Sequence, residues 1–266
     1  MTFDFSEDDI QRFSRHILLA EVGGTGQARL GQARVLVVGA GGLGSPLVLY
    51  LAAAGIGTIG LVDDDVVSLS NLHRQIAHRT ADLGVAKVVS AAAAARAINP
   101  NTTIIAHRLR LGAGNAAELV AGYDLVCDGS DNFATRFTVA DACVAAGRTL
   151  VSAAVLRFEG QLSVFKPHAG PQFPCYRCLY GGPPPDGLVP TCSEAGVLGA
   201  VTGVMGTLQA TEVLKEVLGI GETLAGRLLI WDALATGFHT VKLKRDPACP
   251  SCGTAQARTS TAHHAA

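Results

Sequence analysis

Apolar positions along the chain fall into two spacings. Ile10, Phe13 and Ile17 recur three and four residues apart, which predicts an amphipathic opening helix with Ser6 and Asp9 as its capping box. Arg12 and Arg15 ride on that helix as cations needing a partner or water. A β-branched run at 34–38 then leads into Gly39-Ala40-Gly41-Gly42-Leu43-Gly44, a helix at 45–54 and a strand at 58–62. The stretch 35–62 carries no charge and exceeds the roughly 20 residues of a membrane-spanning helix. Its seven glycines cut it into strand, turn, helix, turn and strand, so a span is not expected.

The alternation continues with helices near 85–98, 113–121 and 132–146 and strands at 103–107, 124–127 and 149–154. Helices between strands imply right-handed crossovers, hence an α/β, doubly wound, mostly parallel Rossmann-like sheet covered on both faces. Alanines 91–95 read as a packed helix. After about residue 157 the pattern changes to antiparallel strands such as 161–166, a Pro/Gly-rich stretch at 181–190 and a glycine-studded apolar helix at 196–218. Gly199, Gly203 and Gly206 there allow a neighbouring backbone to come close. The expected organisation is one domain over 1–252, with a nucleotide-binding half at 1–155 and a second half at 156–252. Residues 253–266, small and polar, read as a disordered tail.

Composition narrows the function. The formal net charge of −1 offers no electrostatic attraction to nucleic acid or membrane. With 48% hydrophobic and 16% charged residues, the bulk of the chain must fold compactly. Residues 1–10 are acidic and lack a basic segment followed by an apolar one, so no signal peptide is expected and the location expected is cytoplasmic. Four of seven cysteines form two C-x-x-C pairs, Cys175/Cys178 and Cys249/Cys252. Without an export signal, that spacing points to a tetrahedral, structural Zn²⁺ site rather than to disulfides. Cys127 and Cys143 lie in apolar segments and read as buried small hydrophobes. Cys192, after the Pro/Gly-rich stretch, is either a nucleophile or an incidental thiol.

Gly39, Gly41, Gly42 and Gly44 fit G-x-G-x-x-G between a strand and a helix, where phosphate or ribose can approach backbone N–H groups. Asp63, 19 residues after Gly44, can accept ribose hydroxyls, or can be a solvated strand end beside Asp64 and Asp65. Asn71, Arg74 and Lys87 follow; taken singly, the two cations serve equally well as surface residues. Together they suit a triphosphate with a departing pyrophosphate, and the absence of G-x-x-x-x-G-K-[ST] turns attention to the α-phosphate. Asp131, after strand 124–127, is placed to hold Mg²⁺, while Asp128, Ser130 or Asp131 could instead cap the next helix. A nicotinamide-dependent oxidoreductase would use the same glycines and Asp63 but gives no reason for Arg74, Lys87 and Asp131 to occur together. A zinc-stabilised scaffold without turnover would not need every one of these residues.

Arg15, the glycine run, Asp63, residues 68–72, Arg74-Gln75, Lys87, Asp131-Asn132, both cysteine pairs and residues 191–196 together resemble the MoeB/ThiF/HesA adenylyltransferases over roughly 7–252. The resemblance implies a homodimer that uses ATP and Mg²⁺ to adenylate the C-terminal glycine of a small ubiquitin-like sulfur-carrier protein ending in Gly-Gly. The carrier of molybdopterin synthase is favoured over that of the thiamine pathway. It further implies that Asp63 holds the ribose, that Asn71, Arg74, Gln75, Lys87 and Asn132 contact the nucleotide, and that Asp131 binds Mg²⁺. Arg15 would enter the other subunit's site, and the 181–190 stretch would cross over the carrier's tail. Cys192 matches a cysteine that some members use covalently and others do not. Several members continue into a rhodanese domain where this sequence has 14 residues after Cys252, so a separate sulfur donor is expected.

Overall fold

The structure, a computed structural model, describes residues 5–185, 188 and 192–253, with only the backbone of Cys192 and Ser193. The predicted disordered tail, apart from Gly253, and part of the 181–190 stretch lie outside the described residues.

Helix α1 (Glu7–Ile17) starts on the expected capping box: Ser6 Oγ accepts the Asp9 N–H at 3.1 Å and the Asp9 carboxylate reaches back to Ser6. Next come α2 (Gly23–Gln32), β1 (Arg34–Val38), α3 (Gly44–Ala54), β2 (Thr58–Val62), α4 (Lys87–Ile98), β3 (Thr103–His107), α5 (Ala116–Ala121) and β4 (Leu125–Asp128). The chain continues through α6 (Phe133–Ala146), β5 (Thr149–Leu156), β6 (Glu159–Phe165), α7 (Tyr176–Tyr180), α8 (Cys192–Ala195), α9 (Gly199–Leu218), β7 (Arg227–Asp232) and β8 (Gly237–Lys242).

All eight strands form one sheet in the order β3-β2-β1-β4-β5-β6-β7-β8. The first five are parallel and the last three join antiparallel, as the change of pattern after 157 implied. Strand periodicity sorts side chains to two cores. Val35 and Val37 face a cluster with α3, α4 and α9, while Leu36 and Val38 face one with α5, α6 and α7. Ala91, Ala92 and Ala95 are buried in the first cluster, and Cys127 and Cys143 are buried as expected. Among the described residues no helix is long and apolar enough to cross a membrane.

Three expectations are corrected. The helix expected at 113–121 begins at Ala116, because Asn115 folds back to accept the Gly112 N–H and holds a turn there. The one expected at 196–218 begins at Gly199, since Gly196 takes φ +79° and separates it from α8. Close approach is met at Gly199 and Gly206, where a Cβ would lie 2.2 and 2.5 Å from the carbonyl oxygens of His73 and Leu43, but nothing described adjoins Gly203. Sequence pattern missed α2, whose buried positions include only one large apolar residue, Leu30.

The glycine run shows which of its members the fold itself requires. A Cβ at Gly44 would sit 1.9 Å from the Gly39 carbonyl oxygen, whereas one at Gly41 would meet only the Gln75 amide at 3.6 Å. Gly44→Ala is therefore expected to cost about 1–3 kcal/mol by overpacking, and Gly41→Ala to stay within about 0.5 kcal/mol. Urea midpoints of the two variants compare them directly, and equal shifts contradict the assignment.

Candidate active site

Crossovers leave β1 and β4 in opposite directions, since β1 leads to β2 on one side and β4 to β5 on the other. Ligands of open α/β sheets bind at such a reversal, beyond the carboxyl ends of the strands. A cavity of about 270 Å³ opens there, and Gly39, Gly41, Gly42, Asp63, Arg74, Gln75, Lys87, Asp131 and Asn132 all line it.

Gly39 adopts φ +95° and begins the turn after β1. Asp63, at the end of β2, holds that turn: one carboxylate oxygen accepts the Ala40 N–H at 2.8 Å and the other the Asp65 N–H at 2.9 Å. Asp63 is thus built into the turn rather than merely solvated, and each oxygen keeps capacity for a further donor. Gly44 is buried at the start of α3 and lies behind the lining. Lys87 is the first residue of α4; its side chain is 7% exposed and pairs with Asp65 at 2.8 Å, which compensates a buried ammonium. Arg74 Nη1 donates to the Ser70 carbonyl at 3.0 Å and lies 2.7 Å from His73 Nε2. Gln75 is buried, and its Oε1 has no hydrogen-bond partner among the described residues.

Asp131 is exposed in the lining, with a carboxylate free of hydrogen bonds among the described residues. The capping alternative needs correction. Asn132, in extended backbone at φ −133°, ψ 144°, caps α6 by accepting the Thr135 N–H at 2.9 Å. Asp128 is fully buried and shapes the loop instead, accepting from the Ser130 N–H, the Ser130 hydroxyl and the Ser152 hydroxyl.

Other expected site residues are not in the lining. Asn71 ends a 3₁₀ turn, where its Oδ1 accepts the Ser68 N–H at 3.3 Å. Arg15 is exposed on α1 and has no partner among the described residues. Cys192 begins α8, and its side chain lies outside the described residues. Conversely, Arg110 and Arg136 line the cavity and were not anticipated. Arg110 follows β3 and Arg136 lies in the first turn of α6, so the rule that located Asp131 could have found both. The Arg136 guanidinium donates twice to the Ser130 carbonyl, at 3.2 and 2.7 Å.

Away from the cavity, the Sγ atoms of Cys175, Cys178, Cys249 and Cys252 all lie within 4.8 Å of one another. Pairs 175/178, 175/249 and 178/252 are 3.8, 3.5 and 3.4 Å apart. A tetrahedron with Zn–S bonds of about 2.3 Å has edges near 3.8 Å, so this set fits zinc and leaves no open position. Arg245 donates to the Cys252 carbonyl and to Pro167 and Gly170, and the Asp246 N–H points at Cys178 Sγ.

The profile of the ThiF family matches residues 13–251. Bovine adenylyltransferase and sulfurtransferase MOCS3 is 53% identical over 249 residues, covering 93% of this chain and 54% of that protein. The chain therefore spans about half the length of that relative. Sulfur carrier protein adenylyltransferase of Thermus thermophilus is 47% identical over 251 residues, covering 94% of this chain and 93% of that one. Among solved structures, E. coli MccB with MccA-N7isoASN superposes with a TM-score of 0.80 at 22% identity, over 91% of this chain and 75% of that one, a likeness of fold. With the profile and two relatives each spanning nearly its whole length, this chain belongs to the ThiF family.

Proposed function

We propose that this chain uses ATP to adenylate the C-terminal glycine carboxylate of a small ubiquitin-like sulfur-carrier protein ending in Gly-Gly, releasing pyrophosphate ahead of thiocarboxylate formation. The carrier is of the molybdopterin-synthase small-subunit type, which puts the chain in molybdenum cofactor biosynthesis. The observation that carries the reading is one cavity where the glycine turn, Asp63, Arg74, Lys87 and an unpaired Asp131 meet. The names of the bovine and Thermus relatives, both adenylyltransferases, support it.

A carboxylate is a poor electrophile, and joining it to AMP turns one oxygen into a good leaving group. One carboxylate oxygen of the carrier attacks the α-phosphorus. The bond from that phosphorus to the α,β-bridging oxygen breaks, and pyrophosphate departs with the electron pair. The attacking group is already ionised at neutral pH, so no general base is needed. Asp63 accepts from the ribose, the turn and the α3 N-terminus face the phosphates, and Arg74 and Lys87 stabilise the departing pyrophosphate. Asp131 would hold Mg²⁺, which would supply positive charge to offset the negative charge of the phosphates.

Charge balance in the cavity supports a second copy. Arg74, Lys87, Arg110 and Arg136 face Asp63, Asp64, Asp65 and Asp131, so the lining is formally neutral while the triphosphate is strongly anionic. Arg15 of a second copy supplies a further cation, and a homodimer also gives cover to exposed apolar side chains such as Leu18, Leu69 and Ile76. The four cysteines hold structural Zn²⁺, and Cys192 is the candidate for a covalent link to the carrier or its sulfur.

Pyrophosphate–ATP exchange with purified Gly-Gly carriers tests the reaction. Exchange with the molybdopterin type is expected; exchange with the thiamine type alone reassigns the carrier, and none with any carrier overturns adenylation. Asp131→Ala is expected to lower exchange by roughly 10²-fold or more with the dimer and melting temperature retained, and wild-type turnover would remove the metal role. Mixed dimers of Arg15→Ala with Asp131→Ala are expected to regain part of the activity, because one site then keeps both residues; mixtures as inactive as their parents place Arg15 elsewhere. Stripping zinc by chelation is expected to lower the melting temperature by at least ~4 °C, with a smaller effect on exchange. An apo protein of equal stability would refute a structural metal.

A further inference from the structure

His78 stands outside the cavity lining and has no part in the chemistry above, yet it is buried directly behind the glycine turn. Its Nε2 lies 2.9 Å from the Ala40 carbonyl oxygen and its Nδ1 2.9 Å from Ser90 Oγ. A carbonyl can only accept, so Nε2 carries the proton. Burial, the largest influence, pushes this imidazole below its ordinary value, against the hydrogen bond to the Ala40 carbonyl; Lys87 adds to the lowering, and Asp63 and Asp82 oppose it. The single Ser90 hydroxyl proton goes to the Asp82 carboxylate at 2.7 Å or to Nδ1; in the first case Nδ1–H donates to Ser90 Oγ and in the second Nδ1 accepts, and either way the ring is tied to Ser90.

Two elements that face the phosphates are joined by this arrangement. Ala40 is fully buried, with its N–H held by Asp63 and its C=O held by His78, and the cavity-lining Gly41 and Gly42 follow at once. Ser90 lies three residues after Lys87 on α4, on the next turn of the same face. We propose that His78 is a positioning residue for the nucleotide: its Nε2–H on the Ala40 carbonyl locks the glycine turn to α4, fixing the distance between the turn's backbone donors and the Lys87 ammonium. A triphosphate must reach both at once, and a displacement of about 1 Å at such a site weakens it severalfold or more. The inference rests on the reading that the cavity takes ATP.

An asparagine amide reaches about as far as Nδ1 of a histidine and a glutamine amide about as far as Nε2, so two variants separate the two hydrogen bonds. His78→Gln retains a donor to Ala40, and its ATP KM is expected within about 3-fold of the unaltered chain. His78→Asn loses that donor and is expected to raise the ATP KM roughly 10-fold, the worth of one hydrogen bond, with kcat within about 3-fold. A ring that merely fills space makes the two variants alike, and equal KM values, or a worse result for His78→Gln, overturn the proposal. ATP affinity measured by calorimetry separates this from the function. An unaltered chain that binds ATP without exchanging pyrophosphate sinks adenylation, and the order of the variants' affinities then decides His78; a chain that does not bind ATP overturns both. Should the variants not fold, the ¹⁵N imidazole spectrum of the unaltered chain decides: a protonated Nε2 is expected, and a bare Nε2 with protonated Nδ1 rejects the assignment.

Discussion

Everything at the cavity depends on the backbone contact between two turns, the one after β1 and the one after β4. A Cβ at Gly39 would lie 3.1 Å from the Gly129 carbonyl oxygen, so the turns touch with no side chain between them. Because crossovers diverge from this point, nothing of the main sheet covers it, and the two turns form its floor. Polar groups held beneath that floor keep it in register. Gln209, fully buried on α9, donates to the carbonyls of Asp128 and Val151 and so ties the end of β4 to β5 and to the long helix below. Asp63 and His78 do the same for Ala40 from the other side.

The second half of the chain acts on the same floor through α6. Asn132 caps this helix and Arg136 braces the Ser130 carbonyl, so the N-terminus of α6 belongs to the cavity. One turn further along, Asp141 takes two hydrogen bonds from Arg177 and one from Ser251, residues that sit inside the two C-x-x-C pairs. The four-cysteine cluster therefore fastens the C-terminal segment to the helix that carries part of the site.

Much of this arrangement was legible residue by residue. β2 and β3 fall where their apolar runs predicted, and the glycine run, Asp63 and Asp131 meet as expected, because each signal is local: periodicity, a glycine turn, or a residue at the end of a strand. The choice of capping residue was not legible. Asp128, Ser130, Asp131 and Asn132 are all capable caps, and only the backbone conformation at Asn132, with burial of Asp128, decides among them. β7 and β8 escaped for a related reason: β8 is exposed almost throughout, β7 buries only Leu228 and Trp231 and so shows no alternation, and β7 is set in the sheet by pairing with the distant β6.

The sequence by itself determined the fold class, a glycine turn between a strand and a helix, and two C-x-x-C pairs able to supply four thiols, since these follow from periodicity and spacing. Tertiary structure alone decided which polar groups meet: Lys87 with Asp65, Arg136 with the Ser130 carbonyl, His78 with the Ala40 carbonyl. Such pairings join residues from 6 to 38 positions apart in the chain, and no periodicity encodes them. They come into being only when the sheet brings the ends of its strands to one place, and there burial favours the paired arrangement.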